Sequence, residues 1–171
     1  IKIDEQEYGG EIAKIAAMIE SGNTTIDVVD VDAPTLLQGC DEGIFETIDW
    51  SQIGDKADWL SGTTSDCGVG TIVYSTSLAY NAATLESGPT ALADLFDTAK
   101  FPGKRGLWKN PATNLEFALL ADGVPVDQVY EVLGTPEGLD RAFAKLDTIK
   151  DSIVWWEAGA QAPQLLASGE V

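Results

Sequence analysis

The chain has 171 residues, 44% of them hydrophobic and 22% charged, with 28 acidic against 10 basic side chains, no histidine and a net charge of −18. This is a globular composition, and no apolar run approaches the roughly 18 residues that a membrane-spanning helix needs. The acid excess argues against nucleic-acid binding, which wants a basic surface; it suits a cationic ligand, although most of the acids serve equally well as solubilising surface charge.

Taken in order, Ile1–Glu7 alternates and reads as a strand, Tyr8-Gly9-Gly10 as a turn, and Glu11–Ser21 as a helix with Ile12, Ile15, Ala16 and Ile19 on one face. Gly22-Asn23 stops that helix. Ile26–Val31 reads as a short strand, and Asp32-Ala33-Pro34 opens a helix to Asp41 with Pro34 in its first turn. Ile44–Trp50 reads as extended and Ser51–Thr64 as loop. The stretch Asp66–Asn81 is rich in β-branched and aromatic residues and uncharged between Cys67 and Asn81, the pattern of a buried extended segment.

Beyond it come a helix at Ala91–Phe96, a loop at Phe101–Gly106 and a strand end at Leu107–Lys109. Asn110–Thr113 leads into a helix over Asn114–Asp122 that Gly123 ends. Helices over Val126–Leu133 and Pro136–Ile149, a strand at Ile153–Trp156 and a helix over Gly159–Ala167 follow. Strand and helix alternate, so the expected class is α/β, with parallel pairing covered by helices. The uncharged segment joins two such halves. The expected organisation is therefore a first lobe at 1–69, a crossing strand or hinge at 70–81 and a second lobe at 82–171, with the working groove between the lobes. The chain starts on a strand-like Ile1-Lys2-Ile3-Asp4 without an initiator Met, and stops at Ser168-Gly169-Glu170-Val171, where a helix has ended and a strand begins. It reads as a fragment of a longer protein, incomplete at both ends.

In open α/β sheets, ligands sit beyond the carboxyl ends of strands, beside helix N-termini. Three such corners stand out: Asp30–Pro34, Lys109–Asn114 and Trp156–Gln161. Asp32 is either a salt-bridge partner for an ammonium group or a stabiliser of the helix that starts beside it, the latter worth about 0.3–1 kcal/mol. Glu157 follows two tryptophans, and a carboxylate beside aromatic faces seats an alkylammonium; one of Trp155 and Trp156 is expected in the core. Thr113 and Asn114 are either helix caps or ligand contacts. Cys40 and Cys67 lack Cys-x-x-Cys spacing and have no histidine to complete a zinc site. They form either a free buried pair or a bridge, and a bridge would contribute about 3–4 kcal/mol in the chain-entropy model.

Enzyme signatures are thin. Gly68-Val69-Gly70 lacks the third glycine of a dinucleotide fingerprint and precedes a strand-like stretch. Neither a Gly-Lys-Ser phosphate loop nor a Gly-x-Ser-x-Gly elbow occurs. Without histidine, the commonest general base is missing. No cofactor or metal is expected.

Three passages carry a family likeness. Asp27-Val28-Val29 followed by Gln38–Asp49, then Ala93–Asp97 with Phe101-Pro102-Gly103-Lys104-Arg105-Gly106-Leu107, and last Ala167–Val171 resemble bacterial extracellular solute-binding proteins of ABC transporters. The likeness spans essentially the whole chain, and the spermidine/putrescine-binding branch is the nearest in kind. It implies a two-lobed, type 2 periplasmic-binding-protein-like fold with mixed sheets flanked by helices, a periplasmic location, and a monomer that closes on a small-molecule solute and passes it to a membrane permease.

By that resemblance, Asp32 and Ala33 fall on a first-lobe ligand loop. Thr113 falls where polyamine receptors place a carboxylate, and Gly68 and Val69 at the cleft-facing start of the crossing. Cys67 paired with Cys40 would pin the first-lobe helix to the hinge. The expected ligand-binding set is thus Asp32, Ala33, Gly68, Val69, Thr113, Asn114 and Glu157, and the expected function is an importer's receptor for a small, polyamine-like cation. The alternatives are an α/β enzyme using carboxylates and a binding module feeding a membrane sensor.

Overall fold

The structure, a computed structural model, describes residues 2–6 and 11–171. The turn expected at Tyr8-Gly9-Gly10 and both ends of the strand expected at Ile1–Glu7 lie outside the described residues. Helical and extended segments sort into two compact units, Ile1–Tyr74 and Ser75–Val171.

The first unit holds α1 (Ile12–Glu20), α2 (Ala33–Asp41), the single turn α3 (Trp50–Ile53) and a 3-10 turn at Lys56–Asp58. On α1 the four-residue apolar face is only partly realised: Ile15 is buried, whereas Ile19 is exposed. The Asp32 carboxylate accepts from Thr35 N–H at 2.9 Å and starts α2, with Pro34 in its first turn.

The strands expected in this unit do not form among the described residues. Lys2–Gln6 and Ile26–Val31 are irregular, and Trp50, expected at the end of an extended run, begins α3. Among the described residues of this unit, the sole ladder element is an isolated antiparallel bridge between Thr64 and Val69. The crossing segment forms no strand over 71–80, and Ile72, Val73 and Tyr74 are 71%, 80% and 72% exposed, not buried. β-Branched residues favour a strand by packing on a pleated surface beside a partner. No described segment of the unit runs alongside these to take up their backbone groups.

The second unit follows its sequence pattern closely. Its elements are α4 (Leu92–Phe96), β1 (Arg105–Trp108), α5 (Asn114–Ala121), α6 (Val129–Leu133), α7 (Pro136–Asp147), β2 (Ile153–Trp156) and α8 (Gln161–Ser168). Strands β1 and β2 pair in parallel, with Arg105 opposite Ile153 and Trp108 opposite Trp156. A hydrophobic core runs through Phe96, Leu107, Ala118, Leu119, Val124, Val129, Ala142 and Ile149, which joins α4, β1, α5, α6 and α7. Thr135 caps α7 by accepting from Gly138 N–H at 3.0 Å. A Cβ at Gly138 would collide with the Val132 carbonyl, so the glycine lets α7 lie directly on the end of α6.

The loop expected over Phe101–Gly106 ends two residues earlier, because Arg105 and Gly106 enter β1. Arg105 also organises that loop. Its buried guanidinium donates to the carbonyls of Leu95, Gly103, Asp97 and Phe101 at 2.9, 2.7, 3.1 and 2.6 Å. One planar five-donor group thereby satisfies four carbonyls from the end of α4 and the loop after it, a geometry that lysine cannot reproduce.

Leu119 is fully buried, so Leu119→Ala should cost about 2–5 kcal/mol in denaturant melts of the protein. A second expectation concerns acid. The Lys100 ammonium at 2.8 Å, together with the Thr90 and Ala91 N–H groups, lowers the Asp94 carboxyl to about 2. The folded value lies below the unfolded one, so ionised Asp94 stabilises the fold fully above the ordinary carboxylate range. That contribution fades as pH falls through about 2. Asp94→Asn should therefore lower the thermal midpoint at neutral pH, and the gap to the parent should close in strong acid when both are melted across that range.

Candidate functional site

The carboxyl ends of β1 and β2 lie side by side, because parallel pairing in this register brings Trp108 and Trp156 to the same level. Their rings stack with centroids 5.9 Å apart and planes 15° from parallel. The ladder continues one bond further, Lys109 N–H donating to the Trp156 carbonyl at 2.8 Å. That places Lys109 and Glu157 just past the strand ends, where Lys109 Nζ donates to Glu157 Oε1 at 2.7 Å. The pair is open to solvent, with side chains 63% and 71% exposed. Its hydrogen bond, and then its charge, raise the Lys109 ammonium above its ordinary value. Trp155, on the opposite face of β2, is exposed, and Trp156 is half-buried against Trp108, so neither tryptophan of that dipeptide enters the core.

Two loops frame this corner. After β1, Asn110 Oδ1 accepts from Ala112 N–H at 2.9 Å, and the chain passes Thr113 with φ 75° and ψ −41° before α5 begins. Thr113 is the sole non-glycine residue with positive φ among the described residues. A β-branched residue in that region is strained, and such strain clusters at functional sites. The expected capping roles are not taken up: Thr113 makes no side-chain cap bond. Asn114 turns inward instead, its buried amide donating to the carbonyls of Trp108 at 2.6 Å and Asn110 at 2.8 Å. Asn114 thus holds the loop to the strand end.

After β2, Gln161 Oε1 accepts from Glu157 N–H and Ala158 N–H, both at 2.8 Å. Sequence reading gave Gln161 no role. Its position four residues after Glu157, at the start of α8, was the available signal, since a side-chain acceptor there can reach back to the N–H groups of the preceding turn. Gln161 fixes the backbone from which Glu157 projects.

The remaining sequence-predicted residues belong to the first unit. Asp32 is spent in part as the cap of α2, and Ala33 is the exposed first residue of that helix. Gly68 lies against Leu36, and Val69 pairs with Thr64. Cys40 and Cys67 form a disulfide, Cα–Cα 5.8 Å. Two surface hollows in this unit, one lined by Trp50, Ser51, Gly54, Asp55 and Lys56 and the other by Trp59, Leu60, Thr63 and residues 70–73, include none of the predicted residues. The Trp50 ring in the first is already covered by the Lys56 ammonium, 5.0 Å from its centroid. Among the described residues, no three acidic or cysteine side chains converge as a metal site would require.

The family model of bacterial extracellular solute-binding proteins matches residues 1–171. The chain belongs to that family. Its solved relatives are type 2 periplasmic binding proteins. The periplasmic binding protein MotA of A. tumefaciens B6, solved with glucopine, superposes with a TM-score of 0.87 at 42% identity over 95% of this chain and 50% of its own. A GABA receptor of known structure matches with TM-score 0.83 and 43% identity, over 98% of this chain and 51% of that one. The γ-aminobutyric acid-binding protein of Pseudomonas aeruginosa is 53% identical over 165 residues, 96% of this chain and 47% of the relative. The chain thus spans about half the length of these relatives. Two of them are named for γ-aminobutyrate and one was solved with glucopine, whereas the sequence reading pointed to the polyamine branch.

The strain at Thr113 is open to measurement. Thr113→Gly removes a left-handed penalty of roughly 1–2 kcal/mol. The mobility of glycine in the unfolded chain returns about 0.5–1 kcal/mol of that. The expected outcome in denaturant melts is a net gain of up to about 1.5 kcal/mol.

Proposed function

We propose that the protein is the periplasmic receptor of an ABC importer for a small solute that carries both an ammonium and a carboxylate. It delivers the solute to a membrane permease and consumes nothing. The observation that carries this reading is the Lys109–Glu157 pair at the carboxyl ends of β1 and β2. In sheets of this kind ligands bind at that edge. The seat expected for an alkylammonium beside Glu157 is already filled by the ammonium of Lys109.

Solvent-exposed ion pairs contribute about 0–1 kcal/mol, so opening this one costs little. A zwitterion can exchange it for two new pairs, its ammonium on Glu157 and its carboxylate on Lys109, and leave no charge alone. A polyamine cannot. It brings a second cation to a corner whose own net charge is zero and displaces Lys109 without compensating it. The relatives named for γ-aminobutyrate and the one solved with glucopine favour the same choice. Thr113 is proposed as a further contact at this corner. Asp32, Ala33, Gly68 and Val69 are proposed as contacts offered by the first unit.

Titration calorimetry on the full-length protein tests the proposal with γ-aminobutyrate, glucopine and putrescine as probes. An amine-and-carboxylate solute should bind more tightly than putrescine. Glu157→Gln should weaken it about tenfold or more, equivalent to about 1.4 kcal/mol. Tighter binding of putrescine, or an unchanged dissociation constant in Glu157→Gln, would overturn the assignment.

A further inference from the structure

Within the first unit, the residues proposed as solute contacts sit on two segments of unlike stability. Asp32 and Ala33 are built into the start of α2 by the cap bond to Thr35 N–H and by Leu36 N–H donating to the Asp32 carbonyl at 2.9 Å. Gly68 and Val69 belong to a tight hairpin. Ser65 N–H donates to the Gly68 carbonyl at 3.0 Å, Thr64 pairs with Val69, and Cys67 N–H donates to Ser65 Oγ at 3.2 Å. Beyond Gly70 the chain runs unpaired, so nothing regular holds the hairpin from that side.

The hairpin is fastened to α2 along one face. Leu36 and Cys40 are four residues apart and so share a side of the helix. Leu36 meets Gly68 so closely that a Cβ there would lie 2.7 and 2.8 Å from its methyl carbons. Cys40 is bonded to Cys67. The other ties are Ile48 N–H to the Asp66 carbonyl at 2.8 Å and an exposed Lys56–Asp66 pair. Apolar packing offers little reserve, since Ile15 is the one buried hydrophobic side chain among the described residues of this unit.

We propose that the Cys40–Cys67 disulfide is a positioning element for solute binding, holding Gly68 and Val69 in register with the α2 terminus that carries Asp32 and Ala33. The inference rests on the receptor reading above and adds that affinity depends on the redox state of this bridge. A dithiol reductant supplies two electrons and two protons. The S–S bond breaks, Cys40 and Cys67 become thiols, and the reductant leaves as its own disulfide. With the covalent tie gone, the hairpin keeps only the Leu36 contact, one backbone bond and a solvent-exposed ion pair.

The test compares the oxidised full-length protein, the same protein reduced with dithiothreitol, and the Cys40→Ser/Cys67→Ser double variant. Amide hydrogen exchange and calorimetry with γ-aminobutyrate are the two readouts. Reduction and the double variant should each speed exchange at the amides of Ser65 and Gly70 at least about tenfold. They should weaken γ-aminobutyrate binding by a similar factor, equivalent to about 1.4 kcal/mol, and leave protection in α5 and α7 unchanged. Unchanged affinity on reduction would reject a positioning role, as would unchanged exchange at Ser65 and Gly70. Parallel loss of protection in α5 and α7 would show general loosening and reject it too. If the oxidised protein does not bind γ-aminobutyrate, the solute class fails on its own, and exchange at Ser65 and Gly70 then decides whether the bridge holds the hairpin.

Discussion

The register of one short parallel pairing governs the second unit. Opposing Trp108 to Trp156 stacks two indoles and brings Lys109 and Glu157 together just beyond the sheet, although 48 residues separate them along the chain. A shift of one residue would turn one of the two tryptophans to the opposite face and pull the charged pair apart. Helices α5–α7, with most of the shared core, lie between the strands in sequence, so the packing of Leu119, Val129 and Ala142 supports a register that involves none of them directly.

Around that pairing, polar side chains do the fine placement by reaching for backbone groups. Arg105 gathers four carbonyls before β1, Asn114 two carbonyls after it, and Gln161 two N–H groups after β2. Buried backbone groups must find partners, and here each loop at the strand ends finds them in a single side chain. The first unit solves the same problem differently. With little apolar burial, it relies on the Asp32 cap, a tight hairpin and a covalent link.

Electrostatics divides in the same way. The chain as a whole is strongly acidic, with a net charge of −18, yet the proposed solute corner is a neutral pair. Bulk charge therefore describes the surface and the long-range field, while selectivity at the corner follows from two opposite charges 2.7 Å apart. This is why a reading from net charge led toward polyamines, and a reading from local geometry leads toward a solute bearing both charges.

Much of the second unit was legible in the residues. The helix from Pro136, Gly123 as the end of α5, and the strand at Ile153–Trp156 were all readable, because helical pattern, breakers and β-branched runs act within a few residues of themselves. The Phe-Pro-Gly-Lys-Arg-Gly passage identified the family, though only the structure showed that Arg105 serves as the knot of its loop. Ile26–Val31 and the segment after Gly70 had the composition of strands and did not pair. By itself, then, the sequence determined most helix positions, though not α3, together with the α/β class and the family, since these depend on local chemistry and pattern. Tertiary structure decided the Lys109–Glu157 pairing, the inward turn of Asn114 and the choice between free thiols and a bridge at Cys40 and Cys67. The first and last of these join residues 48 and 27 positions apart, and the Asn114 contact closes on its own loop only because β1 fixes where that loop begins.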